Sequence, residues 1–290
     1  TATILGSGTF GGSAGWTFYN LTFGSGSAAT TAATSTATTT VASVLTVSSA
    51  ATLGAGSRVW HLTGTGTPFV RSGTFNAQSS TMAFAGNPTS TFVNLPGGTT
   101  WYHLVIDAAT STQDYRCGSG VCTASGDFTV RRGRFTTYNL STTLTVNGTT
   151  TVGLAPGGTE AELDMANSVT VTMNLNGNVV VNPTSNSCGF QDAMRGAVNI
   201  AGNLTIASGG RWCGRGTSDT AGNLTFTGNS KTITDNNTTK QDLGRINIGG
   251  ASTLLGSSVK ATWVTINSAK TLNLNGANTL TLTGTSTPLT

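Results

Sequence analysis

The densest group of side chains able to do chemistry is Glu160, Glu162 and Asp164, in the stretch GGTEAELDM. Their i, i+2, i+4 spacing places all three on one face of a strand. Such a row offers oxygen ligands for a weak calcium site, or a carboxylate pair of the kind that hydrolyses glycosidic bonds. A solvated outer face is the simpler use, since the whole chain has only 10 Asp and Glu. No catalytic residue and no firm metal ligand is therefore assigned, and no motif implies a cofactor. The isolated acids Asp107, Asp114, Asp192, Asp219, Asp235 and Asp242 read as turn residues that accept bonds from their own backbone.

Four cysteines form two local pairs, Cys117 with Cys122 in CGSGVC and Cys188 with Cys213. An even number in so polar a chain fits disulfides and an oxidising compartment. Zinc fits poorly: its four-cysteine sites use two close hairpins, and the second pair here is widely spaced. Nucleophilic catalysis has no frame either. GxSxG and GxxxxGK[ST] are missing, and His61 and His103 sit in strand-like stretches beside Trp60 and Tyr102. Aromatic residues collect early, from Phe10 and Trp16 to Trp101 and Tyr102, where interior packing competes with stacking on sugars.

Charged residues make up 8% of the chain, against about 25% in an average soluble domain. No charged side chain precedes Arg58, and Arg58 and Arg71 are the only charges before Asp107. A surface so neutral invites self-association, unless an assembly covers it or glycans solubilise it. Sequons for N-glycosylation occur at Asn20, Asn139, Asn147, Asn203, Asn223, Asn236 and Asn237, and the Thr-rich segment 24–43 suits O-glycosylation. The net charge of +4 is scattered. Only Arg131, Arg132 and Arg134 cluster, too few for the basic stripe that nucleic acid requires. No apolar run approaches the roughly 20 residues of a membrane helix. Thr1 opens no charged-then-apolar leader, which fits a mature or excised chain.

Strands must position these residues. LTVNGTTTV, VTMNLNGNVVV, VNIAGNLTI and TLNLNGANTLTLTG alternate apolar residues with Thr, Ser or Asn, the period of half-buried strands. Turn pairs at Asn147-Gly148, Asn176-Gly177, Ala201-Gly202, Ala221-Gly222, Gly249-Gly250 and Asn275-Gly276 recur at the interval of a solenoid coil. The expected fold is all-β, a parallel β-solenoid of about a dozen coils. Asn-Gly is also a hairpin turn, so tandem β-sandwich modules are the alternative. A longer repeat matches LTVSSAATL (45–53) to VTINSAKTL (264–272) and HLTGTGTP (61–68) to TLTGTSTP (281–288). It divides the chain into a first copy at 1–70, an expanded, cysteine-bearing middle copy at 71–220, and a third copy at 221–290, in one continuous solenoid.

The succession GTF, TMAFAGN, an apolar-x-x-apolar-x-apolar strand, LTV and LTLTG resembles the Thr/Gly/Asn-rich surface proteins of bacteria and archaea. These are the β-strand-repeat, autotransporter-like and filamentous-haemagglutinin-like proteins. The resemblance implies a secreted β-helical fibre, stalk or adhesin, and carries over no catalytic residue. The expected function is a structural subunit or segment of an extracellular surface filament. An adhesin stalk or glycan-binding module is the alternative, and a polysaccharide-active enzyme comes third. The expected partners are copies of itself and, in the adhesin reading, surface glycans. Because TLTGTSTPLT matches an internal phrase that runs on into SGTF, and SGTF stands at 7–10, the two ends read into each other. The expected head-to-tail contact joins Thr281, Leu282 and Thr290 of one copy to Thr1 and Phe10 of the next.

Overall fold

The computed structural model describes residues 1–25, 28–87, 92–108, 114–118, 120–137, 142–154, 161–164, 171–185, 188–192, 196–214, 223–285 and 287–290. The chain is all-β, without a helix, and its parallel strands stack as a β-solenoid of about 11 turns. At roughly 4.8 Å between strands the stack is roughly 50 Å long. Among the described residues no helix is long and apolar enough to cross a membrane.

Each coil has three faces. The third is one ladder from Trp16–Phe18 to Thr271–Asn273, passing through Val59–Leu62, His103–Asp107, Val179–Val181 and Lys231–Asp235. The first face begins with Ala2–Ile4, Leu21–Phe23, Leu45–Val47 and Phe69–Arg71. Phe92–Leu95 and Asp114–Cys117 then take that place in the coil. The second face begins with Gly8–Gly11, Thr30–Thr34, Thr52–Gly54 and Thr74–Asn76, and restarts at Thr100–Trp101 and Gly120–Ala124. Both side ladders thus break at the same level, while the third continues across it through Thr81–Phe84.

Period-two alternation becomes burial. On the third face Val41, Leu62, Phe84, Ile106, Val130, Val152, Val181 and Ile206 lie in register and are inaccessible to solvent. Each such side chain contributes about 1.5–3 kcal/mol when fully buried. Successive rungs are close in the chain up to Thr150, as from Val59 to Thr81 and from Thr81 to His103. Beyond it the coils lengthen, as from Thr150 to Val179 and from Leu204 to Ile233, and the last ones shorten again, as from Lys231 to Thr253. Insertions enter at corners because there they leave the ladder intact.

Every pairing between named strands is parallel, and the sole antiparallel contact among the described residues is the isolated bridge Pro183–Gly210. This overturns the sandwich alternative and the hairpin reading of Asn-Gly. Asn147-Gly148 and Asn176-Gly177 are corners between the second and third faces, where coils pass almost in contact, whereas Asn275-Gly276 leads from the third face to Leu280–Leu282 with open space around Gly276. A Cβ on Gly177 would lie 2.0 Å from the Gly148 carbonyl oxygen, and one on Gly202 2.1 Å from that of Gly177. The column also takes in Gly126, Gly228 and Gly250. The spacing of turn pairs missed Gly126 and Gly228; Ala221-Gly222 lies outside the described residues. Beside the glycines, polar side chains bridge coils: Asn203 N donates to Asn178 Oδ1 at 3.0 Å, and Thr149 N to Asp127 Oδ1 at 2.8 Å.

The long repeat is real as local structure but not as position. Ala50 and Ala269, in the matching turns SSAA and NSAK, both adopt positive φ (66° and 59°). Yet Leu45–Val47 lies on the first face and Trp263–Ile266 on the second. The apolar pattern of FYNLTF (18–23), which recurs in LGRINI (243–248) and WYHLVI (101–106), likewise falls on the first, second and third faces respectively. A strand–turn–strand unit fits any face, because each presents the same inward row and free ladder edge.

Candidate functional site

Of the acidic row, Glu162 is half-buried and Asp164 is buried on the first face, so the two are not the solvated outer face expected. Strand Asp114–Cys117 pairs with the end of Phe128–Thr136, which pairs with Ala161–Asp164, bringing Asp114, Arg134 and Glu162 into one line across three coils. The Arg134 guanidinium donates through Nε and Nη2 to the two oxygens of Asp114, and its Nη1 is 3.9 Å from Asp164 Oδ2. One cation therefore serves three carboxyls. Burial, and then the neighbouring Asp164, push Glu162 up to about 7. Burial, with Asp114 adding to it and Arg134 opposing, pushes Asp164 up to about 6. Both carboxyls therefore keep their protons to higher pH than an ordinary carboxyl does. Glu160 lies outside the described residues, and among those described no group of three or more His, Cys, Asp or Glu is arranged to hold a metal ion.

The arginine cluster is used in the same cross-coil manner. Arg132 Nε donates to Asp107 at 2.6 Å, and Arg134 is held by Asp114. Asp107 and Asp114 are thus ion-pair partners, not the turn residues expected. Asp235 and Asp242 do cap turns: Asp235 accepts from Asn237 N and Gln241 N, and Asp242 from Gly244 N. Asp235 also occupies the rung after Ile206, so a buried carboxylate replaces the aliphatic column there. His103 accepts from Asp127 N at 3.0 Å and touches the ring of Tyr102. It is a corner residue.

Both cysteine pairs are disulfides. Cys117–Cys122, with Cα atoms 6.0 Å apart, staples the corner between the first and second faces of one coil. Cys188–Cys213, at 5.7 Å, links successive coils beside the stacked rings of Phe190 and Trp212. Two such bonds suggest an oxidising environment.

The two charges that precede Asp107 have specific places. Arg58 is inaccessible to solvent, and its guanidinium donates to Thr39 Oγ1, Gly12 O, Thr34 O and Ala14 O at 2.7–3.2 Å. It ties three coils together without an acid. Arg71 lines an open groove of about 410 Å³ where the side ladders break, with Phe75, Gln78, Thr99, Thr100 and Ser125. Sequence reasoning missed both sites. Their isolation in an otherwise uncharged stretch was the available signal.

Among the sequons, Asn147 and Asn236 are exposed, and Asn20 and Asn203 are half-buried with their Oδ1 atoms accepting from Val44 N and Thr232 N. The Asn237 amide is buried, donating to Gly210 O and accepting from Gly209 N; it has no room for a sugar. Asn139 lies outside the described residues, and Asn223 lies in the strand Asn223–Phe226. Of the expected end contacts, Phe10 is 4% exposed, stacked on Trp60 and edge-on to Phe23, and therefore belongs to the core. Thr1, Thr281 and Thr290 are exposed and Leu282 is half-buried. No protein-family model, no curated protein and no solved structure matches this chain, whose chemistry is carried by the residues just described.

Proposed function

We propose that this chain is a structural segment of an extracellular surface filament, extended by continuing its coils head-to-tail. The observation that carries this reading is the third-face ladder, in which every coil templates the next in parallel register. Among the described residues, Ala2–Ile4 at one end pairs only with Leu21–Phe23, and Leu280–Leu282 at the other only with Val259–Ala261. In a parallel stack these opposite edges are complementary. A contact between them is heterologous and does not close, so it propagates. Leu5 and Tyr19 near the first edge, and Leu274 and Leu289 near the last, add exposed apolar surface. The same edges would serve a second copy or an adjoining segment of a longer chain.

Rigidity in this design comes from backbone pairing and a narrow core, so it needs few charges. No catalytic role is assigned: Glu162 and Asp164 are tied to Arg134 and Asp114 in a cross-coil ladder. Negative-stain microscopy of the purified chain tests the proposal, with long polymers expected. Deleting residues 281–290 should leave folded monomers, and fibres of unchanged repeat from that truncation would overturn the joint. Polysaccharide turnover abolished by Glu162→Gln would overturn the non-catalytic assignment.

A further inference from the structure

The groove at the ladder break departs from the regular stacking of the rod. On the third face the coils remain in register across this level, since Thr81–Phe84 pairs with both Val59–Leu62 and His103–Asp107. On the first and second faces, no ladder among the described residues joins Phe69–Arg71 to Phe92–Leu95 or Thr74–Asn76 to Thr100–Trp101. The recess left there has a volume of about 410 Å³ and is open to solvent along one side. That is within the range of small-ligand sites.

Its walls combine one cation, one ring and several hydrogen-bonding groups. Arg71 is anchored by Nη2 donating to Gly97 O at 3.1 Å, while its Nε is buried with no partner. Thr99 is 3% exposed, and its hydroxyl is also buried without a partner. Unpaired buried polar groups are uncommon and call for a water, an ion or a ligand. Gln78 holds its carboxamide oxygen on Gly56 N at 2.6 Å, which turns its NH₂ away from that bond. Ser125 Oγ donates to Trp101 O at 3.0 Å, leaving its lone pairs as acceptors. Phe75 is half-buried, braced edge-on by Phe69 at 5.3 Å and at a tilt by Trp101 at 5.5 Å. Among the described residues no carboxylate lines the recess.

We propose that this groove is a binding subsite for a carboxylated sugar residue of a surface glycan. A guanidinium with a fixed plane matches a carboxylate. Gln78, Thr100 and Ser125 supply donors and acceptors for ring hydroxyls. The open part of the Phe75 ring takes the apolar C–H face of the sugar. A neutral sugar leaves the Arg71 charge unanswered, so the site discriminates by charge. The proposal does not depend on the chain forming a filament.

The test compares methyl glucuronide with methyl glucoside, which differ at C6 alone, by chemical-shift titration of the folded chain, with sodium sulfate as the ionic control. Saturable shifts confined to the groove with the glucuronide, and at least tenfold weaker ones with the glucoside, are expected. Arg71→Gln should weaken glucuronide binding at least tenfold. Because Arg71 also holds Gly97, a second variant, Thr100→Glu, puts a repelling carboxylate on an exposed rim position and should abolish binding in a chain with an unchanged spectrum elsewhere. Equal binding of both sugars, no binding of either, or full binding by Thr100→Glu would overturn the proposal. Competition by sulfate at the same concentration as the glucuronide would reduce the site to a simple anion site and overturn the sugar assignment.

Discussion

The first four coils and the middle coils share one backbone ladder but are closed by different means. In the first four, Phe10, Phe23 and Trp60 fill the interior, and the single guanidinium of Arg58 satisfies carbonyls on two coils below its own. In the middle, the additions are two disulfides and the pairs Arg132–Asp107 and Arg134–Asp114. The difference lies in which groups each region must satisfy. In the first coils backbone oxygens converge where one buried donor can reach several of them. The middle coils are fastened at their corners and outer faces, by covalent bonds and by charges on neighbouring rungs.

If that contrast is correct, Arg58→Met is the most damaging of the substitutions considered. Hydrogen bonds to a charged group contribute about 1.5–3 kcal/mol each and are not additive. The expected loss is about 4 kcal/mol in chemical denaturation, with unfolding beginning in the first coils by hydrogen exchange. A loss below about 1 kcal/mol would mean that solvent satisfies those carbonyls.

The disulfides should rank by the loop each closes. Cys188–Cys213 spans 25 residues and Cys117–Cys122 spans 5, so chain entropy assigns roughly 3.5 kcal/mol to the first and roughly 2 kcal/mol to the second. Paired Cys→Ser variants, compared by midpoint in urea, check the order. The reverse order would place the main fastening at the corner and not between coils.

The buried acids make the middle coils sensitive to pH. Glu162 and Asp164 hold their protons up to about 7 and about 6 in the fold, but only to roughly 4 in the unfolded chain. Between those values the folded state binds more protons, so stability falls as pH rises from roughly 4 to 7. Glu162→Gln should flatten much of this slope, on the order of 2 kcal/mol, in melts run at pH 5 and pH 8. A slope unchanged by the substitution would assign the titration elsewhere. The smallest effect belongs to Arg132→Ala: its pair with Asp107 is 44% exposed on the arginine side, and such pairs contribute less than about 1 kcal/mol. A double-mutant cycle with Asp107→Ala measures it.

Much of the architecture was legible in residue order. Alternation in LTVNGTTTV or VNIAGNLTI assigns strands and their inward sides, and Gly148, Gly177 and Gly202 mark corners by recurrence. The cysteine pairs follow from proximity. Phe10 reads as an end contact in sequence and packs as core, because a ring near a chain end looks the same in sequence whether or not Trp60 lies over it. Asp107 and Asp114 read as turn residues because their partners Arg132 and Arg134 arrive only when one coil lies on another.

What the sequence by itself determined is local: period, side of the strand and place of the turn, each set by a few neighbouring φ/ψ angles and by the preference of apolar side chains for the interior. The tertiary structure decided everything that depends on contact between rungs a full coil apart. It chose parallel pairing over hairpins, set the repeated strand–turn–strand unit on three different faces, and gathered carbonyls around Arg58. It also raised the Glu162 and Asp164 carboxyls and opened the recess at Arg71. Burial and electrostatic fields are sums over neighbours in space, and in a solenoid the nearest neighbours in space are one whole turn away in the chain.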